Sequence, residues 1–315
     1  MPKLRILDCT LRDGGLTNNF SFEDKYIQNH LQLMALAHVD FVEMGYKTSG
    51  SFYDKQAYGP LKFCPDSYIR QFINNIENPP ALAFMVDVGK FDREDIAPAS
   101  QSPFVMARVA CYLNQIEQAV QDVLFFQENG YITTLNIMAI SKEQPQEIRK
   151  KLQLVKQVIP FITVYIVDSY GALYPDQIRN LITLYKQELP ESKIGIHVHN
   201  NMQLAFSNTI TAIEHGAVYA DASVKGMGRG AGNCPLECLL PYVEKKFANK
   251  NRYDLKPVLK LINDYYQKED NYKAWGFCTK QLLTGLFNQH PVYSLPDRSY
   301  DLADMYDYLQ RKDRD

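Results

Sequence analysis

Short apolar segments alternate with longer segments of helical periodicity along most of this chain. The apolar segments are rich in β-branched residues, which is typical of buried strands. Eight such segments begin at residues 5, 39, 81, 103, 133, 163, 193 and 219. Between them, apolar residues recur at helical spacing and predict helices over 24–37, 65–76, 114–129, 144–158, 175–188 and 202–215, with a further helix from residue 235. Each predicted strand is therefore followed by a helix or a short helical connection.

This alternation predicts an α/β protein with a TIM (β/α)8 barrel. Strands that are apolar on both faces and separated by helices pair in parallel through right-handed crossovers, and eight such units close a barrel. The alternative is an open doubly wound sheet, whose nucleotide-binding form carries GxGxxG after the first strand. The sequence LRDGGLTNN at that point lacks this motif. From residue 251 the chain is more polar and helical, so we expect a barrel domain over 1–250 and a C-terminal helical extension over 251–315.

The composition of the chain indicates a globular class of protein and argues against nucleic acid and membranes as partners. Of its 315 residues, 46% are hydrophobic, and the formal net charge is -2 with a pI near 6.3. This balance predicts a globular protein without an overall basic field for nucleic acid or a membrane surface. The six cysteines lack the spacing of a disulfide framework, which favours reduced thiols and a cytoplasmic location. Cys234 and Cys238 are the nearest pair, and without a second pair nearby they are a weak zinc candidate.

Candidate chemistry is expected where the strands of a TIM barrel end, because active sites lie at that face. The seventh strand ends in HVHNN, and an alternating strand points His197 and His199 to one side. Asp13 follows the first strand, which only the eighth strand separates from the seventh. Two imidazoles and a carboxylate predict a site for Mn²⁺, Fe²⁺ or Zn²⁺. Mg²⁺ is a weaker candidate, because it prefers oxygen ligands to nitrogen ligands. The alternatives are hydrogen-bonded core histidines and a surface salt bridge between Arg12 and Asp13.

The eighth strand runs into a glycine-rich segment, KGMGRGAGNCPLE. Glycines permit close backbone approach, so this loop is predicted to wrap a ligand, with Gly228 and Gly230 as substrate-binding candidates. The spacing differs from that of a phosphate-binding P-loop. Asn233 is placed where its amide oxygen can reach the cation. Three further charged residues at strand ends are either substrate or catalytic groups or barrel-interior salt bridges: Glu43, Arg108 and Asp168.

Five motifs resemble the metal-dependent lyase and synthase superfamily of TIM barrels. They are DCTLRDG, VEMG, VDSYGALYP, HVHNN and GMGRGAGNCPLE, in this order between residues 4 and 237. The superfamily includes 4-hydroxy-2-oxovalerate aldolase, isopropylmalate and homocitrate synthases and hydroxymethylglutaryl-CoA lyase. The chain looks closest to the aldolase branch. LRDGG followed by NNF, together with YGPLKF, is similar to aldolase-like proteins among polysaccharide biosynthesis enzymes.

The resemblance implies a set of site residues and a reaction. Asp13, His197 and His199 would bind the metal, with Asn233 at the metal or just beyond it, and Arg12 would lie beside the reacting carbonyl. Mn²⁺ or Mg²⁺ is the expected cation, with Zn²⁺ or Fe²⁺ as alternatives. The substrates would be a 2-oxo acid such as pyruvate and an aldehyde, for which the closest resemblance suggests a sugar-derived one. Metal and Arg12 would then stabilise an enolate while a carbon–carbon bond breaks or forms.

The sequence departs from its relatives at the catalytic base. Similar aldolases carry a histidine three residues after the ligand aspartate, where this chain has Leu16, and the synthases carry a glutamate at the position of Gly15. The base is therefore unassigned. The candidates at strand ends are Asp168, Tyr170, Tyr46 and Lys47, of which we expect Asp168 and Tyr170 to act in catalysis with Arg12.

Three other functions remain open on sequence grounds. The first is a Claisen condensation of an acyl-CoA with a 2-oxo acid, using the same metal and Arg12. The second is a Schiff-base aldolase acting through Lys225 or Lys47. The third is a barrel that binds a metabolite without turnover, which the missing base favours. The resemblance also leaves open a homodimer and an acylating aldehyde dehydrogenase docked on the C-terminal helices.

Overall fold

The computed structural model describes residues 3–247, 252–266, 275–290 and 302–312. Its strands form a closed parallel barrel in which each strand pairs with the next in the chain and β8 pairs with β1. The predicted TIM barrel is confirmed. The strands are β1 Arg5–Asp8, β2 Phe41–Tyr46, β3 Ala81–Asp87, β4 Met106–Cys111, β5 Ile132–Ile137, β6 Thr163–Asp168, β7 Lys193–Val198 and β8 Tyr219–Ala222.

Helices surround the barrel and continue beyond it. The connection from β3 to β4 uses two short 3-10 helices, Arg93–Asp95 and Ala99–Gln101, as the weak helical pattern there predicts. The α-helices are α1 Thr10–Gly14, α2 Asp24–Leu36, α3 Asp66–Ile73, α4 Ile116–Glu128, α5 Pro145–Val158, α6 Pro175–Glu188, α7 Ala205–His215, α8 Leu236–Phe247, α9 Leu255–Tyr266, α10 Thr279–Leu286 and α11 Leu302–Lys312. None of these helices is long and apolar enough to span a membrane.

Between β1 and α2 the chain winds into the short helix α1, which carries Arg12 and Asp13. The Asp8 carboxylate accepts the Thr10 backbone N–H at 3.3 Å, and the Asp13 N–H donates to the Cys9 carbonyl at 2.8 Å. These local bonds wind the chain immediately after the strand. The result is that both charged side chains are buried at the mouth of the barrel, with Arg12 only 5% exposed.

The inside of the barrel is divided into an apolar lower part and a polar upper part. Apolar and aromatic residues, including Leu7, Phe41, Met106 and Tyr165, pack together in the lower part. The Arg108 guanidinium lies above them, 4.4 Å from the centre of the Tyr165 ring. Because side chains alternate along each strand, the positions further along these strands bring polar groups to the carboxyl end.

The C-terminal helical extension is confirmed, and its first helix packs directly on the barrel. Val258 and Leu261 of α9 are fully buried in the main core, and the Tyr266 hydroxyl bonds the Tyr26 hydroxyl of α2. Helices α10 and α11 share a separate apolar cluster. The division of domains at residue 250 stays a prediction. Residue 251 and the end of the charged tail, 313–315, lie outside the described residues.

Candidate metal centre and active-site cavity

A cavity of about 380 Å³ opens at the carboxyl end of the barrel. Asp13, His197 and His199 lie on its wall together with Arg12. One ligand atom from each of the first three residues lies within 4.8 Å of the others. Within the described part of the chain, this is the group of histidine, cysteine and acidic side chains with the geometry to hold a metal ion. The structure therefore brings together the three residues whose spacing predicted a cation site.

Both histidines are oriented by acceptors behind them. The Nδ1 atom of His197 donates to Asp221 Oδ2 at 3.0 Å, and the Nδ1 atom of His199 donates to the Gly232 carbonyl at 3.2 Å. A histidine whose Nδ1 carries the proton keeps a lone pair on Nε2, which is the usual arrangement of a metal-binding imidazole. Both Nε2 atoms therefore carry the lone pair of a candidate ligand, and that of His199 lies 3.5 Å from Arg229 Nη2.

The charge states of the site also suit a divalent cation. Burial alone would raise the pKa of Asp13, but Arg12 and the neighbouring histidines outweigh it and hold the pKa of this carboxyl well below its usual range. Burial lowers the pKa of His199 to about 3, so its ring is neutral at pH 7. An ionised carboxylate and a neutral imidazole are the forms that bind metal.

Asn233 and Gly228 lie against the Asp13 carboxylate. The Asn233 side-chain N–H group donates to Asp13 Oδ2 at 2.8 Å, while its Oδ1 atom is buried without a hydrogen-bond partner. A Cβ atom added at Gly228 would lie 2.4 Å from Asp13 Oδ2 and 2.2 Å from Asn233 Nδ2. Only glycine therefore allows the backbone this close to the site, and the unpartnered amide oxygen is a further candidate ligand atom.

Glu43 and Arg108, predicted as substrate-binding residues, are placed beneath the cavity wall in a chain of ion pairs. Glu43 Oε2 lies 2.7 Å from Arg12 Nε and 2.8 Å from Arg108 Nη1. Arg108 Nη2 then contacts Asp221 Oδ2 at 2.7 Å, and Asp221 holds His197. This buried chain links the Asp13–Arg12 pair to the metal-ligand candidate on β7. Asp221 was not among the residues predicted from the sequence, although its position on β8, two residues after Tyr219, predicts an inward side chain.

Asp168 faces away from the cavity. Along β6, Val167 lies on the cavity wall, so the alternation of the strand turns Asp168 outward. Its carboxylate accepts the backbone N–H groups of Ala172 and Leu173, each at 3.0 Å, and burial raises its pKa to about 6. The structure therefore gives this predicted catalytic residue the role of holding the loop after β6. Tyr170, on that loop, does line the cavity.

The two lysines considered for Schiff-base chemistry lie elsewhere. Lys47 donates to the Asp66 carboxylate at 2.6 Å and to the Cys64 carbonyl at 3.2 Å, in a separate pocket. Lys225 is exposed and lies outside the cavity wall. Neither amine is placed against the candidate metal ligands.

Arg229 and His290 also line the cavity, and neither was among the site residues predicted from the sequence. Arg229 donates through Nη2 to the Ser169 carbonyl at 2.7 Å and through its backbone N–H to Asp13 Oδ2 at 3.3 Å. Arg229 lies between Gly228 and Gly230, in the loop predicted to wrap a ligand, and this position could have indicated a cavity residue from the sequence. His290 comes from the C-terminal extension, and no spacing in the sequence connects it to the other site residues.

The fold and the site together define a TIM barrel with two histidines and one carboxylate gathered at its carboxyl-end mouth. The chain belongs to the HMGL-like family, whose family model matches residues 3–264. The superfamily indicated by the five motifs is thereby confirmed.

Relatives of this chain carry names of lyases. A 4-hydroxy-2-oxovalerate aldolase from Brevibacillus brevis is 28% identical over 82% of this chain and 75% of its own length. An oxaloacetate decarboxylase from Mycobacterium tuberculosis is 26% identical over 76% of this chain and 70% of its own length. A solved N-terminal domain of a candidate aldolase from Bacteroides vulgatus has a TM-score of 0.76 at 27% identity, covering 91% of this chain and 94% of that domain. The similarity thus extends over nearly the whole barrel.

Proposed function

We propose that this protein is a divalent-metal-dependent aldolase that makes or breaks a carbon–carbon bond next to a 2-oxo acid. The observation that carries the proposal is the convergence of Asp13, His197 and His199 on one cavity wall beside the buried Arg12. Membership of the HMGL-like family and the aldolase names of several relatives support it. We propose Mn²⁺ or Mg²⁺ as the ion, held by these three residues with the Asn233 amide oxygen as a further candidate.

The residues around the ion have separate tasks. A bound cation would supply Lewis-acid polarisation of the 2-oxo group. Arg12 presents a fixed guanidinium to the same cavity and stabilises negative charge as it develops on the enolate oxygen. Asp13 Oδ1 lies 2.6 Å from Arg12 Nη1, and Glu43 holds the guanidinium from the other side. Because Arg12 is already oriented, no side-chain reorganisation is needed during the reaction.

The metal assignment is tested with full-length protein stripped with a chelator and reloaded with Mn²⁺. Asp13→Asn and His199→Ala should each lower bound metal well below one ion per chain, measured by elemental analysis after gel filtration. His215→Ala is the matched control, because the ring of this half-buried histidine donates to the Thr211 carbonyl of its own helix, α7, and lies outside the cavity wall. Full metal content in both site variants would overturn the assignment.

The reaction is tested with pyruvate and with 4-hydroxy-2-oxo acids. Metal-loaded protein should exchange the C3 protons of pyruvate with deuterated solvent and release pyruvate from a 4-hydroxy-2-oxo acid, and both activities should disappear with chelator. Arg12→Lys should suppress both. If the protein instead releases free thiol from an acyl-CoA in the presence of a 2-oxo acid, the reaction is a Claisen condensation. If no exchange and no turnover occur with metal bound, the barrel binds metabolites without catalysis.

Decarboxylation of oxaloacetate is a second candidate. One relative carries this name, and Leu16 on the cavity wall provides no proton acceptor for a substrate hydroxyl. Loss of CO₂ leaves the same enolate and requires no base for a hydroxyl group. Release of pyruvate from oxaloacetate by the metal-loaded protein, without cleavage of any 4-hydroxy-2-oxo acid, would favour this reaction over the aldolase.

A further inference from the structure

The segment from α10 to His290 lies across the loops at the carboxyl end of the barrel. Asn288 makes two bonds to Ser141 after β5: its Nδ2 donates to the Ser141 carbonyl at 2.8 Å, and its Oδ1 accepts the Ser141 hydroxyl at 2.7 Å. After β7, Asn201 Nδ2 donates to the Gln281 carbonyl at 3.2 Å. The segment is therefore tied to two separate loops around the cavity.

Close packing fixes the same segment against the barrel. A Cβ atom added at Gly285 would lie 2.8 Å from the Asn201 Cβ and 3.3 Å from the Gly171 carbonyl. Thr284, the preceding residue, is fully buried against Asn201. Helix α10 thus contacts the loops after β6 and β7 directly, and the residues that follow it have a defined place over the cavity.

His290 reaches the cavity from the end of this segment. Its Nε2 atom lies 3.0 Å from Arg229 Nη1, and its ring centre lies 6.1 Å from that of Tyr170. A guanidinium only donates hydrogen bonds, so Nε2 is the acceptor and the ring is neutral. Burial, followed by the charge of Arg229, lowers the pKa of His290 to about 4. At pH 7 the cavity wall therefore carries an unprotonated imidazole nitrogen.

Other ionisable groups on the cavity wall are phenols or are paired. Tyr46 is a phenol whose pKa is raised by burial, and the Asp87 carboxylate lies 3.9 Å from Lys90 Nζ. The Asp168 carboxylate holds backbone N–H groups outside the barrel, and Leu16 contributes hydrocarbon. His197 and His199 are the candidate metal ligands, and the Nε2 atom of His199 also lies 3.5 Å from Arg229 Nη2. Burial raises the pKa of Tyr170, so its phenol is protonated at pH 7. His290 is the remaining imidazole among the described residues that line the cavity.

We propose that His290, supplied by the C-terminal extension, is the catalytic base that receives the proton of the substrate's C4 hydroxyl. The proposal rests on the aldolase function above. In cleavage the hydroxyl replaces Arg229 as the donor to Nε2 and transfers its proton there. The O–H electron pair forms the aldehyde C=O bond, the C3–C4 bond breaks, and its pair enters the enolate whose oxygen faces Arg12. C3 then takes a proton from solvent, and His290 returns its proton to solvent.

Two reactions separate this role from a structural one, because only one of them removes a hydroxyl proton. His290→Ala and His290→Gln, in full-length protein loaded with Mn²⁺, should lower kcat for pyruvate release from 4-hydroxy-2-oxovalerate by roughly 10²- to 10⁴-fold. Exchange of the pyruvate C3 protons in deuterated solvent should stay within about threefold of wild type. Added imidazole should restore part of the cleavage by the alanine variant. His215→Ala should match wild type in every assay.

The possible failures are distinguishable. Wild-type cleavage rates in both His290 variants would overturn the assignment while leaving the aldolase intact. An equal loss of exchange and cleavage, without rescue by imidazole, would give His290 a structural role and would also overturn it. Wild-type protein that binds Mn²⁺ but neither exchanges pyruvate nor cleaves the 4-hydroxy-2-oxo acid would overturn the aldolase proposal and the base assignment with it.

Discussion

Asp221 joins the candidate metal centre to the buried ion pairs, so Asp221→Asn should weaken both metal binding and folding. Its Oδ2 atom lies 3.0 Å from His197 Nδ1 and 2.7 Å from Arg108 Nη2, and the side chain is 1% exposed. Asparagine keeps the shape of the side chain and removes its negative charge. His197 then loses the charged acceptor that sets its tautomer, and Arg108 retains only Glu43 as an anionic partner.

The two effects have different expected sizes. Loss of an outer partner of a metal-binding histidine typically lowers metal affinity about 10- to 100-fold, which corresponds to about 1.4–2.7 kcal/mol. Removal of one partner of a buried ion pair costs about 3–5 kcal/mol, and the low end applies because Glu43 still compensates Arg108. For a chain of 315 residues, an unfolding entropy of about 2.1 cal/mol/K per residue converts about 3 kcal/mol into a fall in Tm of about 4–5 °C.

Calorimetric titration with Mn²⁺ and thermal unfolding of the metal-free protein measure the two effects separately. Asp40→Asn is the control, because Asp40 forms ion pairs with Arg5 and Arg252 at the opposite end of the barrel and is 7% exposed. The control should lose stability and keep its affinity for Mn²⁺. Wild-type affinity in Asp221→Asn, or an equal loss of affinity in Asp40→Asn, would refute the role of Asp221 in orienting the ligand.

Three further changes test other features of the site. Gly228→Ala should lower Mn²⁺ affinity in calorimetric titration at least tenfold because its Cβ would collide with Asp13 and Asn233, whereas Gly50→Ala meets only a flexible lysine side chain and should bind normally. His290 has a pKa lowered to about 4, so the unfolded state binds more protons below pH 6.5 and stability is lost as pH falls from 6.5 towards 4. Urea unfolding at pH 7 and pH 5 measures how far the free energy of unfolding falls between the two pH values. This fall should be about 1 kcal/mol smaller in His290→Gln than in wild type, after allowing for the partial exposure of the ring; equal falls in both proteins would contradict this. Arg12→Lys should lower kcat roughly 10²-fold and Tm by only a few degrees, since an ammonium cannot contact Asp13, Glu43 and the developing enolate charge together; unchanged kcat would return Arg12 to a salt-bridge role.

Local periodicity determined the barrel and the metal-ligand candidates. The alternation of apolar strands with helices is a property of neighbouring residues, so the sequence predicted all eight strands and placed α6 at its observed bounds. The spacing of His197 and His199 placed both on one side of β7 for the same reason. That alternation also turns Asp168 outward, and applying it to β6 would have removed this residue from the catalytic candidates.

Contacts between distant segments were decided only by closure of the barrel and docking of its extension. Arg108 and Asp221 are 113 positions apart, and they pair because β4 and β8 face each other across the interior. Arg12 lies within reach of Glu43 because the chain winds into α1 after β1, which depends on the contacts of Asp8 and Cys9. His290 reaches the cavity through the bonds of Asn288 and the close approach of Gly285. Such placements depend on the three-dimensional path of the backbone, and no periodicity along the chain encodes them.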